Sequence, residues 1–308
     1  MKLYVAGAYA AGFHKKGALY ARLTENEKWQ RNQVRHVLES YHYLYRPGAV
    51  ARVRNDGIKI FLDSGAFSAF TMGVDVDLPA YCQYVLENKD IIEQVDDAVC
   101  ASVLDGIGDP QKTYENQLEM ERRGVRPLPC FHYGEDERYL EYYMANYSYI
   151  TIGGMVPIST PQLYLWLDRI WKKYLTDGSG RPRLRVHGFG LTTMGLVERY
   201  PWFSVDSSSW VQVARNGGMM LYPEARTVSV SNQSPSRKQY NMHIDSMEPV
   251  MRAKLEERFL QMGVDLDRMR NLYLSRWAYN IWAFGLLGDL YTKTHESRFE
   301  ADQPELFS

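Results

Sequence analysis

The sequence predicts an α/β protein built on a (β/α)₈ TIM-type barrel with additional C-terminal helices. Three observations carry this. Short apolar runs alternate with longer amphipathic segments along most of the chain, the pattern of parallel strands joined by crossover helices. About eight such units fit into roughly 230 residues, which suits a closed barrel. No GxGxxG follows the first apolar run, so nothing marks the alternative, a doubly wound open sheet. The expected domains are a catalytic barrel over 1–240 and a helical extension packed on it over 241–308.

Each element has its own signal. Lys2 to Val5 reads as the first strand. Thr24 opens "TENE", a capping box with Glu27, and a long helix is expected to run on through "VRHVLESYHYLY". "IKIFLDSG" is a strand ending at Asp63. Asp77 and Pro79 start a helix over "PAYCQYVLENKDII". "DAVCASVLDG" is the third strand, ending near Asp105. Asp109-Pro110 opens a helix that closes at Gly124 after Arg122 and Arg123. "VRPLPCFHYG" is the fourth strand, ending at His132, and a Tyr-rich helix follows from Glu135. "YITIGGM" is the fifth, ending in Gly153-Gly154. "STPQLYLWLDRIWKKYL" is a capped helix with Pro161 at its start. "LRVHGFG", the short helix "TTMGLVERY" and the seventh strand "WFSVDSSSW" come next. "GGMMLYPEARTVSV" supplies the expected eighth strand. From about Asp245 the chain reads as helical and rich in aromatics.

Composition narrows the function classes. Of 308 residues, 45% are hydrophobic and 24% charged, which argues against disorder. The net charge of −1 supplies no global field toward nucleic acid, so such binding would use local patches. The three cysteines Cys82, Cys100 and Cys130 are odd in number and form no CxxC, which disfavours a disulfide framework or a zinc knuckle. A reducing, cytoplasmic setting fits. The first residues read as strand and loop, not a signal peptide, and no run is apolar enough to cross a bilayer.

Most predicted strands end in a polar residue or glycine that the following helix does not need: Asp63, Asp105, His132, Gly153-Gly154, His187-Gly188 and Asp206. In a barrel these ends share one face, where active sites are built. Each has a plain structural reading too. Asp at a strand end is commonly a helix cap, histidines can be satisfied core groups, and glycines can be turns. Asp63 in "LDSGAFS" and Asp206 in "VDSSSW" precede no clean helix start, which favours function. Two carboxylates on one face suit glycosyl chemistry, one as nucleophile and one for protons. No GxSxG elbow or HExxH spacing is present.

These motifs together resemble the tRNA-guanine transglycosylase superfamily, in particular its DNA-modifying branch, the DpdA-like DNA deazaguanine transglycosylases of phages and genomic islands. "LDSGAFS" is similar to that family's DSGGFQ, "ITIGGMVP" to GGLAVGE, "VHGFGLT" to LMGVG and "FSVDSSSW" to the nucleophile strand FDCVMPTR, in the same order over about half the chain. The resemblance implies a (β/α)₈ barrel that replaces guanine in a polynucleotide with a 7-deazaguanine such as preQ0 or preQ1. It implies Asp206 as nucleophile on C1′ and Asp63 as general acid/base. Asp105 and His132 would contact the base, as would Ser64, Gly65 and the backbone of Gly153 and Gly154. Phe67 and His187, with Gly188 beside it, would flank the base faces.

Two departures shift the expected substrate toward DNA, with tRNA as the alternative. The zinc site of the tRNA enzymes, CxCxxC after the nucleophile strand, is absent, so no metal or cofactor is expected, and the basic tripeptide after the nucleophile is missing. Arg181, Arg183 and Arg185 in "GRPRLRVHG", and Arg237 and Lys238 in "SPSRKQY", are the candidate phosphate contacts, or else solvated loops. No membrane partner is expected, an oligomer is left open, and a phage-encoded chain would work in its host's cytoplasm. A two-carboxylate nucleosidase or glycoside hydrolase, or a non-catalytic nucleic-acid scaffold, are the competing functions.

Overall fold

Six of the predicted parallel strands form, and a seventh arises where a helix was expected. The computed structural model describes residues 1–96, 98–191 and 193–301, and for 296–301 the backbone alone. Its strands are β1 (Lys2–Ala6), β2 (Val37–Ser40), β3 (Ile60–Asp63), β4 (Gln94–Val95), β5 (Ala98–Val99), β6 (Cys130–His132), β7 (Tyr149–Gly153), β8 (Arg185–Gly188), β9 (Ser204–Ser207), β10 (Gly218–Leu221) and β11 (Arg226–Ser229). Seven of them make one curled sheet in the order β3-β2-β1-β9-β8-β7-β6, every neighbouring pair parallel. The molecule is thus mixed α/β, with helices between the strands.

The helix expected through "VRHVLESYHYLY" is corrected. The capping box holds, with Thr24 Oγ1 accepting from Glu27 N–H, but its helix ends after Glu25–Asn32. Val37, Leu38 and Glu39 are all buried, and their backbone pairs with both neighbours: Gly7 N–H donates to Leu38 O at 3.0 Å, and Val37 registers with Ile60. Glu39 accepts from the backbone N–H groups of Tyr9 and Ala10. Burial, opposed by those two donors, pushes its pKa up to about 8. A polar residue inside an apolar run imitates helical amphipathicity, and here strand pairing on both sides overrides it.

The predicted third strand survives only in part. Its first residues form β5, paired antiparallel with β4. Farther on, Ala101 makes a parallel bridge to Leu62 of β3, and Ser102 one to Leu128, two residues before β6. The predicted eighth strand is a second correction. β10 and β11 form an antiparallel hairpin outside the seven-stranded sheet. Four residues separate them, too few for the crossover that a parallel pairing needs.

Helix caps follow the sequence closely. Asp77 accepts from Ala80 N–H at 2.8 Å and opens Leu78–Glu87, and Asp109 accepts from Lys112 N–H at 3.0 Å and opens Pro110–Arg122. Both donors are backbone groups that the first helical turn leaves without partners.

The chain forms two compact units. The first comprises Met1–Gly12, His36–Ser207 and Tyr291–Ser308 and contains the seven-stranded sheet. On one face of that sheet Tyr4, Leu38, Phe61, Cys100, Leu128 and Tyr149 form a buried cluster, with Phe189 and Phe203 packed against it. The second unit, Phe13–Arg35 and Ser208–Leu290, contains the β10–β11 hairpin and the helices Pro249–Gln261 and Leu266–Asn271. There Asn280 accepts from Met220 N–H at 3.0 Å and donates to Trp210 O at 3.1 Å, joining hairpin and helices. The boundary expected at residue 240 falls within this second unit. Among the described residues no helix is long and apolar enough to cross a membrane.

Candidate active site

Parallel strands put their carboxyl ends on one side, and there the register brings the polar strand ends together. Ser40 lies opposite Asp63, His132 opposite Gly153, His187 opposite Ser204, and Asp206 opposite Tyr4.

Asp206 is buried and held by its surroundings. It accepts from Gly190 N–H at 2.9 Å, and His187 Nε2 lies 3.3 Å from the same Oδ1. His187 Nδ1 meets Ser204 Oγ at 2.7 Å, and Ser204 Oγ meets Tyr149 Oη at 2.7 Å. With Nε2–H donating to Asp206, Nδ1 accepts from the Ser204 hydroxyl and Tyr149 O–H donates to Ser204. Burial lowers the His187 pKa against the pull of Asp206, so the ring is the neutral tautomer this chain requires. The ring stacks on Phe61 at 4.4 Å and meets Tyr4 and Phe189 edge-on. The His187 ring, expected to flank a base face, is fully buried under protein and has its Nε2 directed at Asp206.

Asp63 ends β3. Its pKa is pushed up to about 7, first by burial and then by the charge of Asp105, with Gly65 N–H opposing and Asp206 adding to the rise. Gly65 N–H donates to Asp63 Oδ2 at 3.0 Å. Gly65 has φ +79°, and a Cβ there would come within 2.7 Å of Ser40 Oγ. Ser64 is buried, its N–H donating to Ser102 Oγ at 2.8 Å. Phe67 is 61% exposed on the following helix, Ala66–Thr71, so its ring is available to a flat ligand.

A second group forms around His132. Its N–H and Nδ1 both meet the carboxylate of Glu135, at 2.9 and 2.8 Å, and Nε2 lies 3.4 Å from Asp105 Oδ1. Burial opposes charge on His132, yet Cys130 and Asp105 hold its pKa well above the usual histidine range. Burial makes Cys130 a neutral thiol, pushed up to about 11, so Asp105 supplies the charge that acts on His132. Asp105, Cys130 and His132 have their ligand atoms within 4.8 Å of one another and could together hold a metal ion. Gly153 leaves them room, since a Cβ there would lie 3.0 Å from Cys130 Sγ and 3.1 Å from His132 Cδ2. Gly154, with φ +67°, lies against the His132 backbone. A Cβ at Gly188 would lie 2.7 Å from Leu191 Cδ1 and 3.0 Å from Trp202 Cζ3.

Arg181, Arg183 and Arg185 lie at or before the start of β8. Arg185 begins β8, at the strand end opposite His187 and Gly188, and it pairs with Asp96. Arg183 precedes it and donates to Thr176 O at 2.8 Å, and Arg181 lies in the same lead-in, its N–H donating to Asp177 Oδ1 at 3.0 Å. Arg237 and Lys238 belong to the second unit, where Arg237 Nε lies 3.5 Å from Asp245 Oδ2. Residues that sequence reasoning missed are Gly190, Ser204, Tyr149, Cys130 and Glu135. Only Glu135 had a signal, its position three residues after a strand-end histidine. Neither the protein-family models nor the curated proteins contain a match to this chain.

Proposed function

We propose that the protein is a base-exchange glycosyltransferase that replaces guanine in a polynucleotide, DNA in preference to tRNA, with a 7-deazaguanine base. The observation that carries this reading is the pair Asp206 and Asp63. Asp63 ends the edge strand β3 and Asp206 lies on β9 of the same parallel sheet, with β2 and β1 between them. Asp206 is fixed by a backbone N–H and a neutral histidine, and Asp63 keeps its proton to about pH 7, close enough to Asp206 to feel its charge. A carboxyl that holds its proton beside a second carboxyl fixed by donors supplies an acid and a nucleophile.

In the reaction an Asp206 oxygen attacks C1′ of a nucleotide turned out of its stack. The C1′–N9 bond breaks, its electron pair leaves on the guanine, and Asp63 donates its proton to that base. The result is a glycosyl ester. The incoming 7-deazaguanine gives its N9 proton to Asp63 and attacks C1′, and Asp206 leaves as carboxylate. Two displacements return the original configuration.

The fold belongs to the same reading as a closed (β/α)₈ barrel. The bridges Leu62–Ala101 and Ser102–Leu128 support it, since they run from one edge strand of the sheet to the other through a single intervening segment. A barrel gathers its strand ends at one mouth.

The test is incorporation of a labelled 7-deazaguanine into duplex DNA and into tRNA. The wild-type chain is expected to label DNA and to form a denaturant-stable adduct with it, and Asp206→Asn to do neither. Incorporation by Asp206→Asn at the wild-type rate would overturn the proposal. Release of free base from a mononucleoside, with no polymer required, would favour the second reading, a two-carboxylate nucleosidase, which the same two residues support.

A further inference from the structure

We infer that Asp105, Cys130 and His132 form a binding site for one divalent transition metal of zinc's chemical class, with Glu135 orienting the histidine. Four independent features converge on it. The donors are a carboxylate oxygen, a thiol sulfur and an imidazole nitrogen, all within 4.8 Å of one another. That mixture suits a borderline metal such as zinc and suits neither magnesium nor calcium.

The spacing is right. Bonds of about 2.1 Å in a tetrahedron set a nitrogen and an oxygen ligand about 3.4 Å apart. His132 Nε2 and Asp105 Oδ1 are 3.4 Å apart. The same contact is an ion pair when the ring is protonated, and a metal would take that proton's place between the two ligands.

The histidine is oriented as a ligand. Its Nδ1 meets Glu135 Oε1 at 2.8 Å, which leaves Nε2 facing the cluster. Metal-bound histidines commonly have their other nitrogen held by a carboxylate in this way. Access and fit are also present. Of the three ligands, Asp105 lines a cleft of about 770 Å³ with Phe70, Lys112, Asn116 and Arg123, the side from which an ion would enter. On the inner side Gly153 approaches Cys130 Sγ and His132 so closely that any side chain would crowd them.

Three protein ligands with one position left over is the arrangement of a working metal site, not a purely structural one. No sequence spacing announces it, because the ligands come from a loop after the bridged segment and from two alternate residues of β6. The site is a second one, beside the reaction proposed for Asp63 and Asp206, and Asp63 feels the charge of its ligand Asp105. With a metal bound, the base contacts that the family resemblance implies for Asp105 and His132 pass to the metal's remaining position.

The experiment uses the full chain, stripped with a chelator, then titrated with zinc against a chromogenic competitor and separately with cobalt. One zinc per chain is expected, and a thiolate-to-cobalt charge-transfer band that Cys130→Ser abolishes. Glu135→Gln, which leaves all three ligands in place, is expected to weaken zinc by about 10–100-fold. Asp105→Asn and His132→Gln weaken it further, and Cys82→Ser changes nothing. The inference is overturned if the wild-type chain binds no stoichiometric zinc. It is equally overturned if the cobalt band survives in Cys130→Ser, or if Asp105→Asn and His132→Gln, with wild-type circular dichroism, bind as tightly as the wild type. Zinc binding without base incorporation supports this site and sinks the glycosyl reading. Incorporation by a chain that binds no zinc does the reverse.

Discussion

Asp63 keeps its proton to about pH 7 in the fold, whereas an unfolded aspartate loses it near pH 4. Folding therefore takes up a proton between those two values, and the stability that Asp63 contributes falls as pH rises from about 4 to about 7. Asparagine has no such proton to hold, and its side-chain oxygen can still accept from Gly65 N–H. Metal-free Asp63→Asn is thus expected to melt above the wild type at pH 8, with the difference fading toward pH 4, while base incorporation is lost. Equal melting temperatures at pH 8 would mean that Asp63 is not held protonated. A group that weakens the fold at working pH is understandable where chemistry needs an acid there. At this scale the sequence was readable where a residue breaks a local rule. Asp63 and Asp206 end apolar runs without capping the helices that follow, whose N-cap positions are Gly65 and Ser208. Cys130 breaks none, since a buried cysteine in a strand looks like core. Gly190 acts through a backbone N–H that no residue type specifies.

Among the elements, the junction from β3 to the helix Ala66–Thr71 shows how local geometry serves Asp63. The turn occupies two residues, and Gly65 takes it with φ +79° while its N–H reaches back to Asp63. A side chain at Gly65 meets two obstacles. The left-handed backbone costs an L-residue about 1–2 kcal/mol. The new Cβ would also lie 2.7 Å from Ser40 Oγ and 2.8 Å from His42 Cβ, both belonging to β2 or the residues just after it. Gly65→Ala is therefore expected to lose about 2 kcal/mol or more in urea unfolding. A loss under about 0.5 kcal/mol would show that the turn relaxes freely. The "DSGAF" stretch announced this turn, but not its neighbour. Nothing in "VRHVLES" reveals that Glu39 is satisfied by two backbone N–H groups from the turn after β1, so the sequence reads as helix there. Caps such as Thr24, Asp77 and Asp109 were legible because capping is settled within four residues.

At the scale of the whole chain, what sequence reasoning could not count was how the first unit's sheet ends. A strand-length apolar run was visible at "DAVCASVLDG", yet regular pairing there is limited to β4 with β5 and two isolated bridges. The opposite error, taking β10 and β11 for the eighth strand, came from treating an apolar run as a barrel strand without asking whether its connection is long enough. A few hydrogen bonds link the two edges of the sheet to the segment between them. Leu62 N–H donates to Cys100 O at 2.8 Å, Ser102 N–H to Leu62 O at 2.9 Å, Val103 N–H to Leu128 O at 3.0 Å and Leu128 N–H to Ala101 O at 2.8 Å. In a closed barrel these amides have no free edge to fray from, and they open only when the unit unfolds. Hydrogen exchange should then protect Ser102, Val103 and Leu128 as strongly as Val5 and Phe189, which bond within the centre of the sheet at 3.0 and 2.9 Å. If the sheet is open, the three amides sit on edges and exchange through local opening, far faster than those two. Exchange of that kind would leave Asp63 and Asp105 on a frayed margin, and would remove the rigid support that a paired acid and nucleophile need.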